Sequence, residues 1–293
     1  MPAHAVFRFA FLLAAALPAS VDAGTVRLPG TLCPTSDPLF RSGFESGEAV
    51  PHAPSQGSGG TYPGNITRTV SVPGFGNRDY YLRIPTGYSP GQALPLLLAL
   101  RGSGPPANIA AYAQQVRNDW SSWADANGFI VLAPVGHSAQ GGWGANGDLA
   151  EIDAALVDAF GAYNIEQSRV YLWGFSAGAH YGHDLALNNT QFFAAYGVSA
   201  GGLQQYACDV QGAPACASLL AGAQRKIPVD IHLGNSDPLY TTYGAGNDPQ
   251  RFRNGGWRDN DTLSYTLFVG GHSYTVAQLG EIWRNLCPFA LGP

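Results

Sequence analysis

The sequence predicts an α/β protein in which a mostly parallel central sheet carries helices on both faces. Two continuous apolar runs, LPLLLAL at 94–100 and FIVLAP at 129–134, are typical of strands that are covered on both sides. Between them, Ile109, Val116 and Trp120 recur at the spacing of one helix face. Strands that alternate with helices along the chain favour a parallel sheet.

The other predicted elements continue this alternation. TRTVSV and DYYLRI, which precede the first apolar run, alternate apolar and polar residues as strands do. Leu149, Ile152, Leu156 and Phe160 mark a second amphipathic helix. Four later segments are predicted strands: RVYLWG at 169–174, FFAAYGVSAG at 192–201, VDIHLG at 229–234 and SYTLFVG at 264–270. A final helix is predicted over residues 275–286.

The first residues have the composition of a targeting segment. Arg8 precedes a short apolar run, and VDA at 21–23 fits a small-residue cleavage site. The run is too short to span a bilayer, so a membrane anchor is the weaker alternative. We therefore predict a signal peptide over 1–23, a segment or linker rich in Gly, Pro and Ser over 24–66, and one α/β domain over 67–293. The protein is expected to be secreted, outside the cell or into the periplasm, with no membrane contact after cleavage.

The composition narrows the possible functions. Apolar residues make up 45% of the chain and charged residues 12%, which is too apolar for a disordered protein. The net charge is −5 and the Lys and Arg residues do not cluster, so we expect no nucleic-acid partner.

The four cysteines fit an oxidising compartment and allow three pairings. Cys208 and Cys216 bracket a short loop and are the favoured pair, which leaves Cys33 with Cys287. Free thiols are the alternative. The sequence has no Cys-x-x-Cys pattern and no Cys/His cluster, so we predict no metal site.

A G-x-S-x-G sequence at 174–178 stands between a predicted strand and a helix-like stretch. The motif alone is weak evidence in a chain with 38 glycines. Its context is that of a nucleophile elbow, in which a strand, a tight turn and a helix present a serine at the sheet edge. We therefore predict Ser176 as a nucleophile, with an ordinary strand-to-helix turn as the alternative.

A nucleophilic serine needs a base, and the base needs an acid that orients it. His272, in VGGHSYT after the last predicted strand, is the predicted base, because glycines there free a loop at the carboxyl edge of the sheet. Asp237, in HLGNSDPLY directly after a buried strand, is the predicted acid. The alternatives are a structural loop histidine and an aspartate that forms a turn before Pro238.

The other histidines and carboxylates after the serine fit these roles less well. His180 and His183 lie on the helix that leaves the elbow, and their spacing is more typical of a surface or packed pair than of a metal site. His232 lies inside a predicted strand, and Asp230 lies near the start of that strand, at the wrong end. The aspartates of a polar loop, where solvated carboxylates are expected, are Asp248, Asp259 and Asp261.

An oxyanion hole requires backbone N–H donors near the serine. Ala177, the residue after the predicted nucleophile, is expected to supply one of them. The segment LALRGSGPPA is expected to supply the other, from Ser103 or Gly102.

From about residue 67 to 287, the chain resembles the secreted polyhydroxybutyrate depolymerase and feruloyl/acetylxylan esterase group of α/β-hydrolases. The matching segments are YYLRIPTGY, LPLLLALRGSG, WADANGFIVLAP, YNIEQSRVYLWGFSAGAH, HLGNSDPLY and GGHSYT. The resemblance implies an α/β-hydrolase fold, and the nucleophile, acid and base of the family fall on Ser176, Asp237 and His272.

Three positions near the predicted site bear on substrate binding. The family usually has His-Gly after its third strand, where this chain has Arg101 and Gly102; the backbone donor is retained, but a side chain that shapes the loop is changed. Tyr274 stands where the family often has Trp, and Trp143 matches a recurrent Trp of the pocket region. We predict Arg101, Trp143 and Tyr274 as substrate-binding residues, with packing or loop anchoring as the alternative for the two aromatics.

These observations lead to the hypothesis of a serine esterase. It would act through a Ser-His-Asp triad and an acyl-enzyme, without a cofactor, on polyhydroxyalkanoate, feruloyl or acetyl-xylan esters. The substrate could be a polyester or a plant-cell-wall polysaccharide; the absence of a binding module after the last helix favours soluble or oligomeric esters, and we expect a monomer. The alternatives are a secreted peptidase on the same fold and a non-catalytic protein that binds polymers or carbohydrates.

Overall fold

An eight-stranded sheet forms the centre of the computed structural model, which describes residues 24–27, 53–144, 147–204, 207–208, 213–242 and 244–292. The strands, in chain order, are β1 (Thr25–Arg27), β2 (Gly64–Val72), β3 (Gly76–Ile84), β4 (Leu94–Leu100), β5 (Ile130–Pro134), β6 (Ile165–Phe175), β7 (Ala195–Ser199), β8 (Val229–Gly234), β9 (Leu263–Phe268) and β10 (Phe289–Leu291). The α-helices are α1 (Ile109–Asn127), α2 (Gly147–Ala162), α3 (Ala177–Asn188), α4 (Ala213–Gly222), α5 (Pro238–Thr241), α6 (Asp248–Asn254) and α7 (Val276–Leu286).

The central sheet has the strand order β2-β3-β5-β4-β6-β7-β8-β9. All neighbours from β5 to β9 are parallel, which confirms the predicted mostly parallel sheet. The exceptions are the two pairs that β3 makes, with β2 and with β5, which are both antiparallel. The first of them places Val72 opposite Gly76. A turn this short leaves no room for the crossover that parallel strands need.

The helices cover the sheet on both faces, as predicted. Along β4, Leu96 and Leu98 belong to the core on the side of α2 and α3, and Leu97 and Ala99 belong to the core on the side of α1 and α7. All four side chains are fully buried. Successive residues of a strand point to opposite faces, so a continuous apolar run is what two covered faces require.

Part of the segment 24–66 is joined to the rest of the fold. β1 pairs antiparallel with β10, and the N–H of Ser55 donates to the Ile165 carbonyl at 2.9 Å. A Cβ on Gly57 would collide with the carbonyl oxygen of Phe160, so the chain here lies directly on the end of α2. The sheet begins at Gly64, before the predicted start at 67, because β2 continues its pairing with β3 to that residue.

The predicted disulfide between Cys208 and Cys216 is confirmed. The other predicted pair includes Cys33, which lies outside the described residues, as does the predicted signal peptide over 1–23. Among the helices of the described ranges, none has the length and apolar character to cross a bilayer.

Candidate active site

Ser176 lies at the turn between β6 and α3. Its φ is 54° and its ψ is −117°, a combination that non-glycine residues rarely adopt. Such a conformation costs on the order of 1–3 kcal/mol and persists only where the surroundings fix it. The N–H of Ser176 donates to the Ser199 carbonyl at 3.0 Å, and the Ser176 carbonyl accepts the N–H groups of Ala179 and His180. The neighbouring strand and the first turn of α3 thus hold the serine in a strained conformation.

The two glycines of the G-x-S-x-G sequence are required by close backbone approach. A Cβ on Gly174 would collide with the carbonyl oxygen of Gly178, and a Cβ on Gly178 would collide with that of Leu100. Strand β6, helix α3 and the end of β4 therefore meet too closely for any side chain at these two positions.

The structure brings Ser176, His272 and Asp237 together in one hydrogen-bonded row. Nε2 of His272 lies 2.7 Å from Oγ of Ser176, and Nδ1 of His272 lies 2.9 Å from Oδ2 of Asp237. The Asp237 side chain is fully buried and its Oδ1 accepts the N–H of Leu239 at 2.8 Å, whereas 39% of the His272 side chain is exposed. A carboxylate that accepts the Nδ1 proton leaves the Nε2 lone pair facing the serine hydroxyl, which is the arrangement a general base needs.

Two aromatic rings pack in a row beside His272. The Phe175 ring lies 5.3 Å from the His272 ring, and the Tyr274 ring meets Phe175 edge-on at 4.8 Å. The Tyr274 hydroxyl donates to Asp119 of α1 at 2.6 Å, and burial raises the pKa of Tyr274. Tyr274, a predicted substrate-binding residue, therefore packs against Phe175, the ring that lies beside His272.

The two predicted sources of oxyanion donors lie beside the serine. Ala177 is the first residue of α3, where the N–H has no acceptor within the helix. Gly102 follows β4 by two residues, and a Cβ on it would lie 3.3 Å from Cβ of Ser176. Ser103, the next residue, is exposed.

The side chains of Arg101 and Trp143 are buried and do not form part of the exposed surface of the site. Arg101 is 0% exposed and Trp143 is 2% exposed. Nε1 of Trp143 donates to the Arg101 carbonyl at 2.9 Å, and its ring stacks on Tyr181. Their predicted contact with substrate is therefore not supported by this arrangement, because each side chain is covered by the loops that it holds.

A group of buried carboxylates near these loops is not apparent from the sequence. Both oxygens of Asp148 accept backbone N–H groups, from His137 and Gly144, and burial raises the pKa of Asp148. Oε1 of Glu151 accepts the N–H groups of Val135 and Gly136. The sequence signal is their i, i+3 spacing on α2, which places both carboxylates on one face of that helix.

Ligand atoms of His137, Asp148 and Glu151 lie within 4.8 Å of one another, a spacing that a metal ion could bridge. Oε2 of Glu151 lies 2.7 Å from Nδ1 of His137, and the other carboxylate oxygens already accept N–H groups. The cluster therefore fastens the loop after β5 with its own hydrogen bonds.

The histidines that the sequence argument set aside lie in the interior. Nδ1 of His180 is 2.7 Å from the Gly202 carbonyl, and Nδ1 of His183 is 3.0 Å from the Tyr196 hydroxyl. Burial lowers the pKa of both rings, to about 3 for His183. His232 is buried on β8. Buried rings with a lowered pKa, such as those of His180 and His183, pack the core and are typical of structural histidines.

No family model matches the chain, but individual proteins do. A bifunctional acetylxylan esterase/xylanase of Neocallimastix patriciarum is 30% identical over 165 residues, which cover 55% of this chain and 22% of that protein. A probable feruloyl esterase C of Aspergillus terreus is 31% identical over 161 residues, which cover 54% of this chain and 58% of that protein. The chain thus spans less than two thirds of the length of either relative.

A solved structure of a ferulic acid esterase has the same fold. Its TM-score is 0.59 at 13% identity, and the match covers 76% of this chain and 96% of the other. An identity this low shows only that the two chains share a fold. The two sequence relatives are more similar to this chain, at 30% and 31% identity. The chain therefore has an α/β-hydrolase fold, and about half of it is similar in sequence to feruloyl and acetylxylan esterases.

Proposed function

We propose that this chain is a serine esterase that hydrolyses carboxylic esters through an acyl-enzyme on Ser176. The observation that carries the proposal is the row from Ser176 Oγ to His272 Nε2 and from His272 Nδ1 to Asp237, at 2.7 and 2.9 Å. The strained backbone of Ser176 supports it, because such conformations concentrate at functional sites.

In the first half of the reaction, Ser176 Oγ attacks the ester carbonyl carbon while His272 Nε2 takes the hydroxyl proton. The carbonyl oxygen becomes an oxyanion that accepts the N–H of Ala177 and an N–H of the segment after β4. Asp237 stabilises the imidazolium that forms. The tetrahedral intermediate then releases the alcohol, which takes the proton from His272 and leaves the acyl group on Ser176.

In the second half, a water molecule attacks the acyl carbon and gives a proton to His272. The second tetrahedral intermediate breaks its bond to Ser176 Oγ, which takes the proton back from His272. This half-reaction yields the carboxylic acid and the free enzyme. Over both halves, one ester and one water molecule are converted to one alcohol and one acid.

The proposed substrates are feruloyl or acetyl esters of plant-cell-wall polysaccharides. The names of the sequence relatives support this class, and polyhydroxyalkanoate remains a third candidate from the sequence resemblance. Tyr112 favours a substrate with an aromatic acyl group, because the residue is 39% exposed and its ring lies against Gly104 in the segment after β4. Secretion belongs to the same proposal, and the disulfide between Cys208 and Cys216 supports an oxidising compartment.

Hydrolysis of p-nitrophenyl acetate tests the proposal. We expect turnover by the wild type and a loss on the order of 10⁴-fold or more in S176A. The matched control is S71A, at an exposed serine of β2, which should retain activity. A parallel assay on methyl ferulate, acetylated xylan and polyhydroxybutyrate film then identifies the substrate class. Absence of ester hydrolysis, with cleavage of peptides or binding of a polymer instead, would overturn the esterase in favour of the corresponding alternative.

A further inference from the structure

Arg101 directly follows β4, and all of its hydrogen-bonding capacity is used in the interior. The residue is 0% exposed. A guanidinium group has five N–H groups and no acceptor. The five backbone carbonyls that accept them are those of Val135 (2.6 Å), Gly102 (2.8 Å), Gly141 (2.8 Å), Gly136 (2.9 Å) and Gly142 (3.2 Å). Each donor therefore has one acceptor.

The loop over residues 135–142 supplies four of these carbonyls. Its N–H groups donate to buried carboxyl groups of α2. Glu151 and Asp148 accept N–H groups of the same loop. Burial lowers the pKa of Arg101 to about 10, and the charges of Asp148 and Glu151 oppose that shift. Arg101 is therefore a cation at neutral pH, and the loop lies between this cation and two buried carboxyl groups.

The remaining carbonyl, that of Gly102, connects Arg101 to the nucleophile. The peptide bond from Gly102 to Ser103 is trans, and in a trans peptide the C=O and the following N–H point in opposite directions. Nη1 of Arg101 holds the Gly102 oxygen, so the N–H of Ser103 faces away from Arg101. Gly102 itself lies against Ser176, because a Cβ on Gly102 would be only 3.3 Å from the serine Cβ.

We infer that Arg101 is a positioning residue for the oxyanion hole. By binding the Gly102 carbonyl, it fixes the next peptide group so that the Ser103 N–H points at the developing oxyanion. The inference rests on the proposed esterase function and names the donor that the sequence left open between Ser103 and Gly102. A neutral histidine, the residue usual at this position in the family that the chain resembles, has one N–H donor and cannot hold five carbonyls. Arginine therefore fixes a larger part of the loop here than a histidine could.

The test compares p-nitrophenyl acetate with its thiono analogue, in which sulfur replaces the acyl oxygen. Sulfur is a weak acceptor and the C=S bond is longer, so donors placed for an oxygen favour the ester. Both substrates use the same serine, histidine and aspartate. The ratio of the two kcat/KM values therefore reports on the oxyanion donors and cancels any loss of folded enzyme.

R101K leaves three donors in place of five. We expect its kcat on the ester to fall on the order of 10²-fold, as after loss of one oxyanion donor, with KM changed less than about threefold. The ratio of ester to thionoester should fall at least about tenfold.

Arg225 supplies the matched control. It is also buried, and its guanidinium also donates to backbone carbonyls, those of Thr190, Phe193 and Ala194 before β7, at the opposite edge of the sheet. We expect R225K to keep the wild-type kcat and the wild-type ratio, even where its melting temperature falls.

An R101K enzyme with the wild-type ratio, including one that loses the same factor on both substrates, would overturn the positioning role and leave the esterase proposal intact. A wild type that hydrolyses neither substrate would overturn the esterase proposal instead. Where circular dichroism shows that R101K does not fold, R101Q, which leaves two donors, is measured in the same way. It should show the same fall in the ratio, and an unchanged ratio would overturn the inference.

Discussion

Arg101 and Arg225 carry the same chemistry at opposite edges of one sheet. They are 0% and 7% exposed, and both guanidinium groups donate to backbone carbonyls. Burial lowers the pKa of Arg101 to about 10 and that of Arg225 to about 9. Arg101 lies at the carboxyl edge beside Ser176, whereas Arg225 precedes β8 and reaches the residues before β7.

The two arginines differ in the segments whose backbone carbonyls they bind. The carbonyls held by Arg101 belong to the segment after β4, which lies beside Ser176, and to the loop after β5, which packs against that segment. The carboxyl groups of Asp148 and Glu151 oppose the effect of burial on the pKa of Arg101. The acceptors of Arg225 lie at the entry to β7, and its Nη1 also donates to Thr25 of β1. The same side chain therefore positions a reacting site at one edge and joins the N-terminal strand to the fold at the other.

D237N is expected to have the largest effect on activity at the carboxyl edge without affecting the fold. Asparagine caps a helix as well as aspartate, so the bond from the Leu239 N–H is retained. The amide no longer selects the histidine tautomer that the mechanism needs, and kcat on p-nitrophenyl acetate should fall on the order of 10⁴-fold. The melting temperature, measured by circular dichroism, should stay near that of the wild type.

D259N is the matched control for this change, because Asp259 is an exposed partner of Arg253. It should retain the wild-type kcat and melting temperature. A D237N enzyme as active as D259N would remove Asp237 from the mechanism.

E151Q is expected to have an intermediate effect, because it removes one of the negative charges that hold the loop around Arg101. An NH2 group, which only donates, replaces one of the Glu151 oxygens and faces either the backbone N–H groups or the ring of His137. We expect the free energy of unfolding in urea to fall by about 1–3 kcal/mol. The kcat should fall about tenfold, less than after loss of a whole oxyanion donor.

E166Q provides the comparison away from the site. Glu166 pairs with Arg169 at 3.5 Å, and 34% of its side chain is exposed. Its loss should change the unfolding free energy by less than about 1 kcal/mol and leave kcat unchanged. Equal kcat values for E151Q and E166Q would mean that the carboxylates near Arg101 do not influence the reaction.

H183Q is expected to have the smallest effect on kcat and to change instead the pH dependence of stability. Burial lowers the pKa of His183 from 6.5 to about 3, so between these values the unfolded chain binds a proton that the folded chain does not. The stability that this histidine contributes is complete above pH 6.5 and is lost as the pH falls towards about 3. Urea denaturation of H183Q over this range should give a slope that is shallower by up to about 1.4 kcal/mol per pH unit. Slopes equal to that of the wild type would contradict the buried neutral state.

The sequence is most informative where one physical requirement fixes the pattern. β4 and β5 are predictable because strands covered on both faces must be apolar throughout. Ser176, Asp237 and His272 can be placed because each follows a strand whose carboxyl end meets the others at one sheet edge. Helices α4, α5 and α6 are not predicted, because they are short and carry no sustained apolar period.

The role of Arg101 shows why other parts of the site escape sequence analysis. Its acceptors are backbone carbonyls, four of them from glycines, and a carbonyl carries no sequence signal. From the sequence alone, an arginine beside a glycine-rich loop is interpreted as a group that faces substrate. Only the fold reveals that the loop folds over the guanidinium and removes it from solvent.

The acyl-enzyme itself gives the most direct test of the central claim. Wild-type protein and S176A are mixed with p-nitrophenyl acetate, quenched in acid during turnover, digested and examined by mass spectrometry. We expect one acetyl group on the peptide that contains Ser176 in the wild type, and none in S176A. Release of p-nitrophenol with no acetyl group on Ser176, or with acetylation at a different residue, would contradict the proposed mechanism.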